Sequence, residues 1–241
     1  MPEPTPEPNP LGAGVLLFSA GLDSFPAWHF LGRPPVVYFD LRHRYAPQER
    51  VAVEKLAARC GMDLTISREL DLSDREAPDA IIPMRNAYFA MLAADRADLI
   101  WCIGVKGDHT ADKSPEAFGV IGNMITALTG RDVRIHSPFW ELTKTEIVRW
   151  YLEQGLPTDD LLLTFSCSRS DGRPVHCGVC PSCLRRWCSL VNNGIDAPFE
   201  EPPWQWERVR TFYVPAMWNG TYPDHRAAEL FTALARVGVT V

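Results

Sequence analysis

Val15-Leu-Leu-Phe-Ser-Ala-Gly-Leu-Asp-Ser24 joins a short apolar run to a turn of small and hydroxyl-bearing residues. The run 15–18 reads as a buried strand, and the segment after Ser24 reads as a helix ending near Leu31. In a turn of this kind, small side chains let backbone N–H groups close on an anion, and the following helix start adds partial positive charge. The Ser19 and Ser24 hydroxyls can donate to phosphate oxygens, and Asp23 can hold Mg²⁺. No G-x₄-G-K-[ST] motif is present, so this is not a Walker loop. Standing alone, such a turn also serves as a plain helix cap. Its place after a strand, its acid and the later Lys144 favour the anion.

Downstream, strand-like and helix-like segments alternate. Pro34 to Asp40 reads as a second strand and 47–60 as a helix, with Pro47 near its start and Gly61 as its stop. Residues 64–66 form a third strand, 84–97 an alanine-rich helix, 99–103 a fourth strand, 115–128 a helix and 133–135 a fifth strand. Thr143-Lys-Thr-Glu146 opens a helix over 144–153, with Thr143 capping, Glu146 reaching back and Gly155 closing it. This order predicts an α/β fold, a doubly wound five-stranded parallel sheet with helices on both faces. Its ligand should sit beyond the carboxyl ends of the strands, where the strand order reverses.

The chain is expected to divide into a proline-rich, mobile lead-in (1–12), a nucleotide-binding unit (13–165), a cysteine segment (166–194) and an extension (195–241). The extension is rich in Pro and Trp and carries a helix over 223–237. It is expected to pack on the core or to offer its tryptophans to a protein partner. A net charge of −6 without long Lys/Arg blocks argues against a nucleic-acid surface. Arg42-His43-Arg44 and Arg185-Arg186 read as small solvated basic edges. No apolar stretch is long enough to span a membrane, and no secretory signal opens the chain, so a cytoplasmic location is expected.

Cys167, Cys177, Cys180 and Cys183 carry the second chemical signal. Three thiolates within seven residues, with a fourth one loop upstream, repel one another unless a soft cation binds them; Zn²⁺ is the favoured reading. An iron–sulfur cluster is the rival, since ferredoxins also use C-x₂-C-x₂-C, but the spacing to Cys188 and the Ser189 after it depart from that pattern. Buried or disulfide-bonded thiols are a third reading. Four thiolates leave no open position for water, so a zinc here is structural. Cys60, Cys102 and Cys188 fall in apolar segments and read as core.

The S-x-G-x-D-S turn resembles that of the pyrophosphate-loop ATPases, the adenine nucleotide α-hydrolase group. Within that group the chain is similar to the QueC (7-cyano-7-deazaguanine synthase) family from about Val15 to Val191. The matching residues are the loop, Arg85-Asn86, Ile103-Gly104-Val105, Pro115-Glu116 with Phe118, Leu142-Thr-Lys-Thr-Glu-Ile-Val148, Ser166-Cys167 and Cys177-Gly-Val-Cys180-Pro-Ser-Cys183-Leu-Arg185. The resemblance implies an enzyme of queuosine biosynthesis, with the adenine nucleotide α-hydrolase (HUP) fold. It would adenylate the carboxylate of 7-carboxy-7-deazaguanine with ATP and then form the amide and nitrile with ammonia. By that resemblance Ser19, Ala20, Gly21, Leu22, Asp23 and Ser24 bind ATP with Mg²⁺, and Lys144 and Asp23 are catalytic. Arg85, Asn86, Arg42, His43 and Asp112 would contact the substrate. From the residues alone, Arg85 could equally be an exposed first-turn residue, and an exposed Lys144 is the lesser alternative. His109 and His136 read as ordinary loop histidines.

Some positions depart from the family. Ala20 and Met84 stand where glycine is usual, a Tyr-Gly-Gln segment is replaced by Asp40 to Tyr45, and the tail is long. These departures make ammonia less secure as acceptor. They admit a paralogue of anti-phage defence systems that joins the activated acid to another amine, on a protein for example. A non-catalytic zinc-stabilised nucleotide-binding module and a tRNA-thiolating relative are further alternatives, the last disfavoured by the acidic charge. A homodimer is compatible with the sequence.

Overall fold

The computed structural model describes residues 14–77, 80–108, 110–169 and 172–240. The proline-rich lead-in and His109, both read above, lie outside them. Strands β1 (Val15–Leu17), β2 (Val36–Phe39), β3 (Leu64–Ser67), β4 (Leu99–Trp101) and β5 (Arg134–His136) form one sheet. Its order is β3-β2-β1-β4-β5 and every pairing is parallel, as expected for the adenine nucleotide α-hydrolase fold. Parallel strands buried on both faces read as continuous apolar runs rather than alternating ones. Val36-Val-Tyr-Phe39 is buried at all four positions.

Helices α1 (Ser24–Phe30), α2 (Ala46–Cys60), α3 (Arg85–Ala93), α4 (Pro115–Thr129) and α5 (Lys144–Glu153) link or follow the strands. Two apolar cores result, one on each face. Phe25, Leu56, Phe139, Ile147 and Tyr151 fill the first, and Ala90, Ile100, Phe118 and Ile125 belong to the second. The capping box read at Thr143 forms: the Thr143 hydroxyl accepts from the Glu146 N–H at 3.3 Å, and Glu146 accepts from the Thr143 N–H at 2.7 Å. Strand β4 stops at Trp101, two residues short of expectation. Beyond it Gly104 lies so close under the Trp140 ring that any Cβ would fall 2.1 Å from it.

Three further helices were not read from the sequence. These are α6 (Thr158–Leu162), α7 (Pro181–Val191) and α8 (Val214–Trp218), the last continuing a π-helical turn, Val209–Tyr213. Helix α9 (Asp224–Arg236) matches the tail helix that was expected. Amphipathic α7 joins the molecule together: Cys183 and Leu190 belong to the first core, while Leu184, Trp187 and Cys188 pack on Val209, Tyr213, Leu230 and Leu234 of the extension. Trp204 lies against Trp187, with ring centroids 5.4 Å apart, and Trp206 lies against Tyr213. The extension therefore turns these tryptophans inward, whereas Trp218 remains 67% exposed. None of the described helices is long and apolar enough to cross a membrane.

Candidate active site

At the carboxyl edge of the sheet, the turn after β1 and the loop after β4 diverge, because the strand order reverses between them. A cavity of about 270 Å³ opens there, bordered by Ser19, Gly21, Asp23, Ser24 and Lys144. Val37, Phe39, Phe89 and Ile103 give it an apolar side. The turn is held in shape from within and behind. Gly21 N–H donates to Ser24 Oγ at 3.1 Å, Ser19 Oγ lies 3.4 Å from Ser24 Oγ, and Phe165 N–H donates to Ala20 O at 2.9 Å. Ala20 is fully buried and takes φ +51°, the left-handed conformation that glycine adopts without cost.

Lys144 is the first residue of α5, and its ammonium donates to Asp23 Oδ2. Asp23 Oδ1 is buried with no partner. An orphaned carboxylate oxygen on the wall of a phosphate-sized cavity fits a divalent cation, which Asp23 would hold; bound there, Mg²⁺ would neutralise phosphate charge. Lys144 is thus not a free surface lysine.

A second chamber, about 560 Å³, adjoins the first and shares Tyr45, Arg85, Asn86, Lys113, Lys144 and Arg185 with it. Arg85 lies half-buried between the two. Burial opposes its charge, but Tyr45 and Glu49 outweigh that and hold it protonated. Asn86 is buried, and its carbonyl accepts from the Cys102 thiol at 3.7 Å. Asp112 borders the outer chamber and accepts from the Asn86 N–H at 2.8 Å. It caps α3, a service Met84 cannot provide. His43 is buried on the inner cavity, with Nε2 3.3 Å from Glu49. Arg42 is not brought to either cavity: its exposed side chain pairs with Asp71 at 3.2 Å.

Several residues at this centre were missed in the sequence. Burial works against ionisation of Asp108, but Lys113, 2.8 Å away, and Lys144 overcome it and hold the carboxyl down at about 2. Nothing in the sequence of its loop singles this residue out. Arg185 and Arg186, read as a solvated edge, are placed otherwise. Arg186 is buried, donates to Thr164 Oγ1 at 2.5 Å, and is pushed down by burial to about 10, still cationic at neutral pH. Arg185 borders both cavities, and its place two residues after Cys183 was the available signal.

The four predicted metal ligands converge. Cys167, Cys177, Cys180 and Cys183 are all buried, none in a disulfide, with their sulfurs within 4.8 Å of one another. Four sulfurs about 2.3 Å from one tetrahedral ion stand roughly 3.8 Å apart. The Cys177 and Cys183 sulfurs are 3.8 Å apart. A multi-iron cluster would need to sit between thiolates spread more widely, so this donor set fits a single structural zinc. Cys180 also caps α7, accepting from the Cys183 N–H at 3.4 Å. Through Ser166, Ser168, Ser182 and Arg185 the cysteine segment becomes a wall of the cavities.

Residues 49–194 match the family described as Queuosine biosynthesis protein QueC. Over 234 residues the chain is 30% identical to the 7-cyano-7-deazaguanine synthase of Thermoplasma acidophilum, covering 83% of this chain and 94% of the relative. The enzyme of the same name from Syntrophotalea carbinolica is 30% identical over 220 residues, covering 76% and 94%. That from Methanopyrus kandleri is 27% identical over 224 residues, covering 77% and 97%. Loop, paired Asp23 and Lys144, cysteine cluster and similarity along most of the length agree: the chain belongs to the QueC family of enzymes.

Proposed function

We propose that the protein adenylates the carboxylate of 7-carboxy-7-deazaguanine with ATP, releasing pyrophosphate, and then passes the activated carbon to an amine. The observation that carries this reading is the pairing of Lys144 with Asp23 at the phosphate turn, with a second Asp23 oxygen left unpartnered. The turn and Lys144 support binding of the β- and γ-phosphates, and the apolar side of the inner cavity suits adenine. The acid enters from the outer chamber. One carboxylate oxygen attacks the α-phosphorus, and the bond to the bridging oxygen breaks to release pyrophosphate. The enzyme's work is to hold the two anions in line and to stabilise the departing charge. Ammonia then attacks the acyl carbon and AMP leaves, giving the amide. A second ATP activates the amide oxygen in the same way, and loss of AMP with a proton gives the nitrile.

The outer chamber favours a second reading for the acceptor. At about 560 Å³ it is large for a flat bicyclic acid and leaves room for an amine bigger than ammonia.

Incubation with Mg–ATP and the acid, with and without ammonia, tests both. AMP together with nitrile supports the first acceptor, AMP without nitrile supports the larger amine, and no AMP leaves a nucleotide-binding module without chemistry. Asp23→Asn is expected to lower AMP release by at least about 100-fold, because it removes an anion that serves both Lys144 and the cation.

A further inference from the structure

Arg185 of α7 and Arg226 of α9 face the same outer chamber. Arg226 comes from the extension, outside the family-matched residues 49–194. Its guanidinium is anchored by donation to Gly107 O at 2.5 Å. Among the described residues neither arginine makes an ion pair, and Arg185 Nε is buried with no hydrogen-bond partner. Both side chains therefore border the chamber with no carboxylate partner among the described residues.

Two cations lining one chamber repel each other unless an anion joins them. The cost is visible at Arg226, where burial first and Arg185 second push the guanidinium below its ordinary range, against the weaker pull of Asp108 and Glu229. Asp108 is already engaged by Lys113. Lys106 and His225 stand in the same chamber and add no negative charge.

We propose that Arg185 and Arg226 form a two-sided clamp for the carboxylate of the acid, one jaw on the zinc-anchored helix and the other on the C-terminal extension. The planar fork of each guanidinium matches a carboxylate. Arg185 borders the nucleotide cavity as well, so a carboxylate held there lies at the boundary across which it must meet the α-phosphorus. The extension then has a part in the reaction: without α9 the acid meets one arginine instead of two. This assignment rests on the acid-activating reading above.

Calorimetric titration of the full-length protein separates the two ideas. The ligands are 7-carboxy-7-deazaguanine and the same base without its carboxyl group, into wild type, Arg185→Gln and Arg226→Gln; Mg–ATP titration and zinc content verify each fold. Loss of a charged hydrogen-bonded pair predicts that either variant binds the acid about 30-fold more weakly, with the carboxyl-free base changed less than twofold. Acid affinity unchanged in both variants, or acid and base weakened equally, overturns the clamp and leaves the acid-activating reading standing. A wild type that binds Mg–ATP but neither deazapurine overturns both. Arg226→Lys keeps the charge but not the fork, and is expected to fall between wild type and Arg226→Gln; equal loss in Lys and Gln variants together with lost zinc would mark a folding defect and count against the clamp.

Discussion

Ala20 and Met84 occupy backbone conformations that glycine takes freely, at φ +51° and +59°. Both are positions where the resemblance leads to an expectation of glycine, and the backbone there takes the left-handed conformation glycine favours. A left-handed alanine costs about 1–2 kcal/mol, partly offset because glycine gives the unfolded chain more freedom. Ala20→Gly relieves that strain but also removes a fully buried methyl, so the urea midpoint is expected to shift by less than about 1 kcal/mol at unchanged slope; a loss well beyond that would show that the turn is not strained. His29 supplies a pH dependence. Burial first, then Arg33, lowers its imidazole to about 4 against the opposing Asp160, and Nε2 has no partner. The folded ring stays neutral while the unfolded one gains a proton below 6.5. Stability is thus full above pH 6.5 and drains away as pH falls toward 4, by less than about 1.4 kcal/mol per pH unit because the ring is partly exposed. Thermal melts of wild type and His29→Gln across that window should differ in slope, and parallel curves would count against the assignment. At this scale the turn at 19–24 beside a cavity and the convergence of the four thiols were legible, since each is a local pattern with its own chemistry. Asp108 and Arg226 were not, because their meaning comes from partners brought near by loops and by the tail.

Helix α7 shows what one element gains from its caps and neighbours. Cys180 both belongs to the four-cysteine cluster and caps the helix, so an ion bound there would also fix the direction in which Ser182 and Arg185 project. Ahead of it, Gly178 takes φ +81° under the returning chain, and any Cβ would sit 1.7 Å from Glu201 O. The backbone there is joined by Glu200 N–H to His176 O at 2.9 Å and Glu201 N–H to Cys177 O at 3.2 Å. Gly178→Ala should cost more than about 4 kcal/mol and lower zinc content below one per chain. Gly155→Ala, at φ +68° with open space around it, should cost only about 1 kcal/mol and leave zinc in place. Equal losses would mean that the approach of Glu201 is unimportant. The βα alternation and the α5 capping box could be read ahead because period and cap are written locally. Helix α7 could not: its cysteines read as ligands, and its apolar stripe divides between two partners far apart in sequence.

Across the whole molecule, the sheet edge, the cysteine segment and the extension supply different walls of one pair of connected cavities. The sheet brings the turn at 19–24, the cysteine segment brings α7, and α9 borders the outer chamber. The extension was legible as a separate stretch by composition, but its direction was not; Trp204 and Trp206 turn toward α7 because Trp187 and Tyr213 offer them aromatic faces. Activation of an acid at the α-phosphorus leaves a mark that no other use of ATP leaves. With oxygen-18 in both carboxyl positions of 7-carboxy-7-deazaguanine, mass spectrometry of the nucleotide formed in one turnover should show AMP carrying one heavy oxygen. Unlabelled AMP, or ADP in its place, would contradict the account.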